Sequence, residues 1–549
     1  MLKQDHKPSA LGLRRTGRAL SVALMVVGVL FPVATASAAS IWVVDDNGIG
    51  VDAGDCTAGV TTHSSIQLAI TASVAGDMVF VCPGTYTTDT QVVIDHNLDI
   101  IGADRATTIV KPMADTGSAG DARGWFLIPS GNAVNISNLT FDGTGFKVWQ
   151  AFRHLGIGTF DTVAFDNILY EESGPSYAGT AIAAFGGVGS VDVNNSTFTN
   201  IGRVGVLYFG AGTTGNFTNN TYTGKGSGNF LDYAVEAGAG AGPVVDHNTI
   251  SDNRGVAISD GSTSAGVLVT TFFGVGTTLS LTDNVITDNT AGVAIGYDSA
   301  DTSAVVLEGN TITGNDWGIQ LTSNDAAAAS HAHGNAIAGN TSGGVESPTP
   351  SPTSGPFDAT CNWWNDAFGP SGAGPGSGDA VSSGVSFMPW LTTSNLEGVC
   401  SGDDTPQGLK ASSIGALQAL VPTGDHKVDK KVEKAIKSLQ RSLNAEWWVD
   451  AMTLDAKDGK KVFDEEKKAI QELEKAGVGA TVIQALLNAD EALAQKAIDD
   501  AVAAGGDQKK IDKANREMAK AADEIAEGNF SKAVEHFRKA WEEAQKALH

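Results

Sequence analysis

Eight asparagines punctuate the middle of the chain at nearly constant intervals, and that period limits the fold more than any other feature. Asn138, Asn167, Asn195, Asn220, Asn248, Asn284, Asn310 and Asn335 are separated by 29, 28, 25, 28, 36, 26 and 25 residues. Each lies in a similar phrase. The clearest are VDHNTISDNRGVAI (245–258), LTDNVITDNTAGVAI (281–295) and LEGNTITGNDWGIQL (307–321). Looser copies are ISNLTFDG (136–143), FDNILYEESG (165–174), VNNSTFTNIGRVGV (193–206), FTNNTYTG (217–224) and HGNAIAGNTSGGV (333–345). A unit this short cannot bury its own apolar face, so each must stack on its neighbours and share one continuous core.

Within a unit, runs of four or five residues rich in Val, Ile, Leu and Thr alternate with Asn, Asp and Gly. That pattern predicts short strands joined by tight bends. No window here keeps a 3.6-residue apolar stripe, so helices are not the repeating element. About 25 residues per unit suffices for three short strands and three bends, the coil of a parallel β-helix of roughly ten turns. The recurring Asn suits a bend because its side chain tolerates left-handed backbone. Stacked in successive coils, its amides can also form a hydrogen-bonded ladder. Both roles are structural.

The two ends of the repeat carry their own signatures. His63-Ser64-Ser65-Ile66-Gln67-Leu68-Ala69-Ile70 leads into Ala75-Gly76-Asp77 and Val79-Phe80-Val81-Cys82-Pro83-Gly84-Thr85-Tyr86, then Val92-Val93-Ile94 and Leu98-Asp99-Ile100-Ile101-Gly102. The far end reads Cys361-Asn362-Trp363-Trp364, Gly369-Pro370, Gly378-Asp379-Ala380-Val381 and Phe387-Met388-Pro389-Trp390-Leu391. Residues 41–400 resemble the pectin-lyase-like, right-handed parallel β-helix superfamily. The resemblance implies a capping helix at the start and a closing segment of secreted bacterial β-helix proteins at the end. Three tryptophans there can cover strand edges that would otherwise face water. The fold class expected is an all-β right-handed parallel β-helix followed by a smaller all-α domain. The superfamily includes lyases, hydrolases, epimerases, adhesins and phage spikes, so the resemblance implies no single activity. The polygalacturonase and alginate-epimerase signatures are absent. Val92–His96 superficially resembles a pectate-lyase string without its Arg motif. No catalytic residue carries over from the family.

Residues 1–38 are expected to be a secretory signal. Lys3, Lys7, Arg14, Arg15 and Arg18 precede an apolar run from Ala19 to Val33, and Ala36-Ser37-Ala38 is a cleavage site. No segment is apolar enough to read as membrane-spanning. Four cysteines remain, an even count suited to an oxidising compartment. Cys56 and Cys82 flank the first cap and Cys361 and Cys400 the second, so the expected disulfides are Cys56–Cys82 and Cys361–Cys400. The expected domains are the β-helix over 39–400, a linker over 401–411 and a helical domain over 412–549. Helices are expected over 425–443, 463–476, 481–503, 508–526 and 531–548, the last two as a hairpin. The final one carries Ala533, Val534, Phe537, Ala540, Trp541 and Ala544 on one face.

Charge excludes some functions. The 366 residues between Ala39 and Asp404 hold 36 acidic and only 8 basic residues. Such a surface repels nucleic acid and other polyanions. Polyuronates could bind only through Ca²⁺ or a local basic patch. Arg203, Lys225 and Arg254 fall five to eight residues after a register Asn in consecutive units, so they could line one bend. Glu171 and Glu172 occupy the equivalent bend one unit earlier. Leu231–Glu236 alternates, which places Asp232 and Glu236 on one face. Two carboxylates beside cations suit glycoside hydrolysis or β-elimination, but charge compensation between stacked turns is the simpler reading. These five, Asp232, Glu236, Arg203, Lys225 and Arg254, are the candidate catalytic residues. No cofactor is evident. Ca²⁺ could sit on Asp-rich turns, and His331 and His333 share a strand face without an evident third ligand.

The expected function is that of a secreted, non-catalytic protein binding glycan or cell-surface matrix, with the helical tail engaging a protein partner or itself. The rivals are a polysaccharide lyase or glycoside hydrolase working on one solenoid face, and a self-assembling surface protein.

Overall fold

The computed structural model describes residues 39–45, 50–51, 56, 59–60, 62–88, 90–171, 178–185, 189–351, 354–398, 400–402 and 405–548. The expected leader, 1–38, lies outside them, as does Glu172.

Three parallel sheets of 15, 12 and 10 strands run the length of the repeat region. The chain visits them in rotation, one strand per sheet per coil, so like side chains stack. Val206, Val235, Val267, Val293, Ile319 and Val345 pair in sequence across six coils. Phe141, Phe165 and Phe198 stack inside with centroids 5.7 and 5.1 Å apart. This is a β-helix with one continuous interior. The Gly of each GVAI phrase has a steric cause. A Cβ on Gly292 would lie 2.6 Å from the Gly318 carbonyl oxygen in the next coil, closer than any side chain tolerates.

The structure assigns the two roles expected of asparagine to adjacent positions. Asn220, Asn248, Asn284, Asn310 and Asn335 form a buried ladder that ends on Asn362. In each step the Oδ1 of one residue accepts from the backbone N–H and side-chain amide of the residue one coil earlier. The left-handed corner is the position before it, held by Asn219, His247 and Asp283 at φ 57°, 55° and 53°. Asn138 and Asn195 occupy that corner position and not the ladder, with φ 58° and 52°. Asn167 belongs to a different bend, where its Oδ1 accepts from Asn200. A second ladder, unseen in the sequence, runs Asn253, Asn289, Asn315, Asn340 and ends on Asp379.

Helix α1 (Ile66–Ala72), capped by the Ser65 hydroxyl, covers the first coil. A short helix α2 (Asn324–Ala329) interrupts one late coil. At the far end Trp364 and Trp390 are fully buried. Disulfides Cys56–Cys82 and Cys361–Cys400 join Cα atoms 5.8 and 5.2 Å apart.

Beyond the β-helix come α3 (Pro406–Leu420), α4 (His426–Ser442), α5 (Lys460–Ala476), α6 (Ala480–Ala503), α7 (Gln508–Ala526) and α8 (Phe530–Ala547). Five match the expected helices. Helix α3 was not expected, and it begins inside the expected linker 401–411. Gly408, Gly415 and the Ser412-Ser413 pair lower its propensity, so tertiary contact must hold it. Leu409 and Leu417 are buried, and they share a core with Phe368 of the closing segment. Lys410, fully buried on the same helix, sits 2.7 Å from Glu466 on α5 and 3.1 Å from Asp490 on α6.

Candidate functional site

The five charged candidates do not form one cluster. Arg254 lies 2.5 Å from Asp316. Lys225 is 7 % exposed, and its ammonium donates to the Gly202 carbonyl at 2.8 Å. Its backbone N–H donates to the Asp232 carboxylate at 2.9 Å, and the Tyr222 hydroxyl donates to the other carboxylate oxygen. Asp232 is thus a buried corner strut. Burial raises its pKa, and Lys225 and Tyr222 pull it down.

Asp232 and Glu236 face opposite sides of the wall, contrary to the alternation read in the sequence. Strand Tyr233–Gly238 starts with an irregularity in which Ala234 and Val235 both enter the interior core. Tyr233 instead joins Leu231 in a separate outer cluster. Glu236 therefore points outward, between its register partners Leu207 and Leu268.

Of the candidates, Arg203 and Glu236 remain together. They line both of two adjoining depressions, of 410 and 220 Å³, on the outer face of the 12-stranded sheet. At one wall the Arg123 guanidinium stacks on Trp149 at 4.5 Å, and Trp149 meets Tyr170 at 4.6 Å. At the other, five rings run in series. Phe185–Phe209, Phe209–Phe273, Phe273–Phe272 and Phe272–Tyr297 have centroids 5.4, 5.5, 4.9 and 4.6 Å apart. Arg153 lies over Phe185 at 4.8 Å. Phe272, Phe273 and Tyr297 are more than half exposed.

The second wall follows from chain direction. In a parallel sheet all strands end on the same side, and these aromatics end or follow strands Thr180–Ala184, Val204–Phe209, Ala265–Thr270 and Ala291–Ile295. The signal was present as an aromatic at or just after the end of four of these strands, in AAF185, LYF209, TTFF273 and AIGY297. These rings lie far apart in the sequence, and only the stacking of coils brings them into one series.

Burial raises the Glu236 pKa, with Arg203 opposing. Asp260, on the rim of the smaller depression, is displaced the other way, mainly by hydrogen bonds from Ser262. The groove thus holds one carboxyl displaced upward and another displaced downward.

His331 and His333 do stand side by side, rings 4.8 Å apart, with His333 Nε2 3.1 Å from Asp358. Among the described residues, one group of three has donor atoms close enough for a cation. It comprises Asp246, His247 and Asp283, within 4.8 Å of one another at a solvent-facing corner away from the groove sheet. Lys147 pairs with Glu171 at 3.6 Å.

Residues 180–345 match the family model described as a right handed beta helix region. The solenoid is a right-handed β-helix. That stretch includes most of the groove and both Asn ladders up to Asn340. Among curated proteins, none matches the sequence. Solved structures similar to this β-helix include the A-module of a mannuronan C-5 epimerase from Azotobacter vinelandii. It is 16% identical over 63% of this chain and 98% of that one, with a TM-score of 0.34. A pectin methylesterase from Erwinia chrysanthemi is 9% identical over 52% and 80%, with a TM-score of 0.25. A protein of Geobacillus virus E2 is 11% identical over 63% and 59%, with a TM-score of 0.30.

Proposed function

We propose that this protein acts outside the cell and binds a polysaccharide chain along the groove of the 12-stranded sheet. The series of five rings from Phe185 to Tyr297 carries the reading. Exposed rings arranged along a stack of coils, each advancing about 4.8 Å, give successive sugar units apolar faces to lie on. Polar contacts come from Gln150, Thr180, Thr270 and Arg203 on the floor and rim. Three of the eight basic residues of the β-helix, Arg123, Arg153 and Arg203, lie in or beside this groove, which admits acidic sugars despite the negative surface. Two disulfides fit an oxidising exterior. Among the described residues no helix is long and apolar enough to cross a membrane.

A second reading, a polysaccharide-cleaving enzyme, is favoured by the opposite displacements of Glu236 and Asp260 beside Arg203. The test is retention of the protein on immobilised neutral and acidic polysaccharides, with reducing ends and unsaturated products followed in parallel. Trp149→Ala and Phe272→Ala are each expected to weaken binding about tenfold, from a lost stacking contact of roughly 1 kcal/mol or more. Binding unchanged in both would remove the groove as the site. Product formation abolished by Glu236→Gln would favour the enzyme.

A further inference from the structure

Glu236 is costly to the fold, and nothing in the interior explains it. It stands mid-strand between Leu207 and Leu268 and is 6 % exposed. Its carboxyl accepts no hydrogen bond from any described residue. A buried carboxyl without such partners destabilises a protein unless it stays neutral. A leucine like its neighbours would suit this position better, so stability alone does not account for it.

The surroundings define what such a group could do. From the preceding coil, Arg203 lines both depressions with it, and Arg123 lies farther along the same floor. From the following coil come Leu268 and Thr270. From the loops come Asp260 and Tyr297, and on its own strand Tyr233. One cation and one carboxyl thus share the centre of the groove.

We propose that Glu236 is the specificity-determining residue of the groove. As a neutral carboxyl it donates a hydrogen bond to a sugar carboxylate held by Arg203, and once ionised it repels that sugar. The proposal rests on the groove being a polysaccharide site, but it fails separately from that reading. Burial holds the proton on Glu236 above the ordinary carboxylate range. A bound carboxylate, a like charge at close range, raises that tendency further. Binding an acidic sugar at a pH where Glu236 is ionised therefore takes up a proton.

The experiment compares an oligogalacturonate with the same oligomer after its carboxyls are reduced to alcohols, between pH 5 and 7.5, with a chelator present to remove Ca²⁺ bridging. Affinity for the acidic oligomer is expected to fall about tenfold or more over this range, the equivalent of roughly one pKa unit. The reduced oligomer should show no such fall. Glu236→Gln, which mimics the neutral acid, should bind the acidic oligomer tightly at every pH. Calorimetry of the wild-type protein in two buffers of different ionisation enthalpy should show proton uptake on binding, independent of any variant. Equal pH slopes for wild type and Glu236→Gln, or binding without proton uptake, would overturn the proposal while leaving the groove as a glycan site. If neither oligomer binds at any pH, the reading of the groove fails and this inference with it.

Discussion

Asp232 and Glu236 are four residues apart in one coil, yet the wall of the β-helix separates them. The inner one is fully engaged. Tyr222 and the Lys225 backbone N–H donate to its carboxylate, and its own backbone N–H donates to the Ser264 hydroxyl at 2.9 Å. The outer one has an arginine nearby and apolar neighbours on both adjacent strands. Both carboxyls are displaced upward by burial, so titration alone does not distinguish them. What differs is satisfaction. A buried charge held by a complete set of partners is part of the fold, whereas one left facing a groove implies a ligand.

The sharpest way to break this contrast is to truncate the inner residue. Asp232→Ala leaves the Tyr222 hydroxyl and the Lys225 ammonium without their carboxylate, and should cost about 3–5 kcal/mol in denaturant unfolding. A loss below about 1 kcal/mol would mean that the corner is not a strut.

His154 offers a comparison inside the core. It is fully buried against Phe160, and burial lowers its pKa to about 4. The unfolded chain takes up this proton near pH 6.5 and the folded protein only near pH 4, so stability should be present above 6.5 and fall as pH drops between those values. The difference corresponds to about 3 kcal/mol. His154→Gln should flatten that part of the stability–pH curve, and an unchanged slope would place the acid sensitivity elsewhere.

The smallest effect is expected at the outer carboxyl. Glu236→Gln should leave the unfolding free energy within about 1 kcal/mol of wild type or raise it, because it removes a buried ionisable group without removing a contact. A loss as large as that of Asp232→Ala would make Glu236 structural too, and erase the contrast.

Much of the architecture could be read from the repeat. Five of the eight register asparagines lie in the ladder, and the cysteines at the two caps pair as their positions suggested. The site was less legible. The alternation from Leu231 to Glu236 assumed a regular strand, and the adjacent inward residues Ala234 and Val235 break it. Arg203, Lys225 and Arg254 hold similar places in their units, yet Lys225 pairs with Asp232, Arg254 pairs with Asp316, and Arg203 lines the groove with Glu236. Helix α3 was hidden because its glycines and serines carry little helical preference, and its place depends on Leu417 meeting the same core as Phe368.

The sequence by itself determined the stacking, because a unit of about 25 residues has no other way to bury its apolar face. It determined the chemistry of the corners as well, since Asn, Asp and Gly tolerate the left-handed backbone that each bend requires. Only the tertiary structure decided which charges are struts and which face the groove. That choice depends on one irregular step in a strand, and on rings brought into line from four coils, neither of which a local pattern encodes.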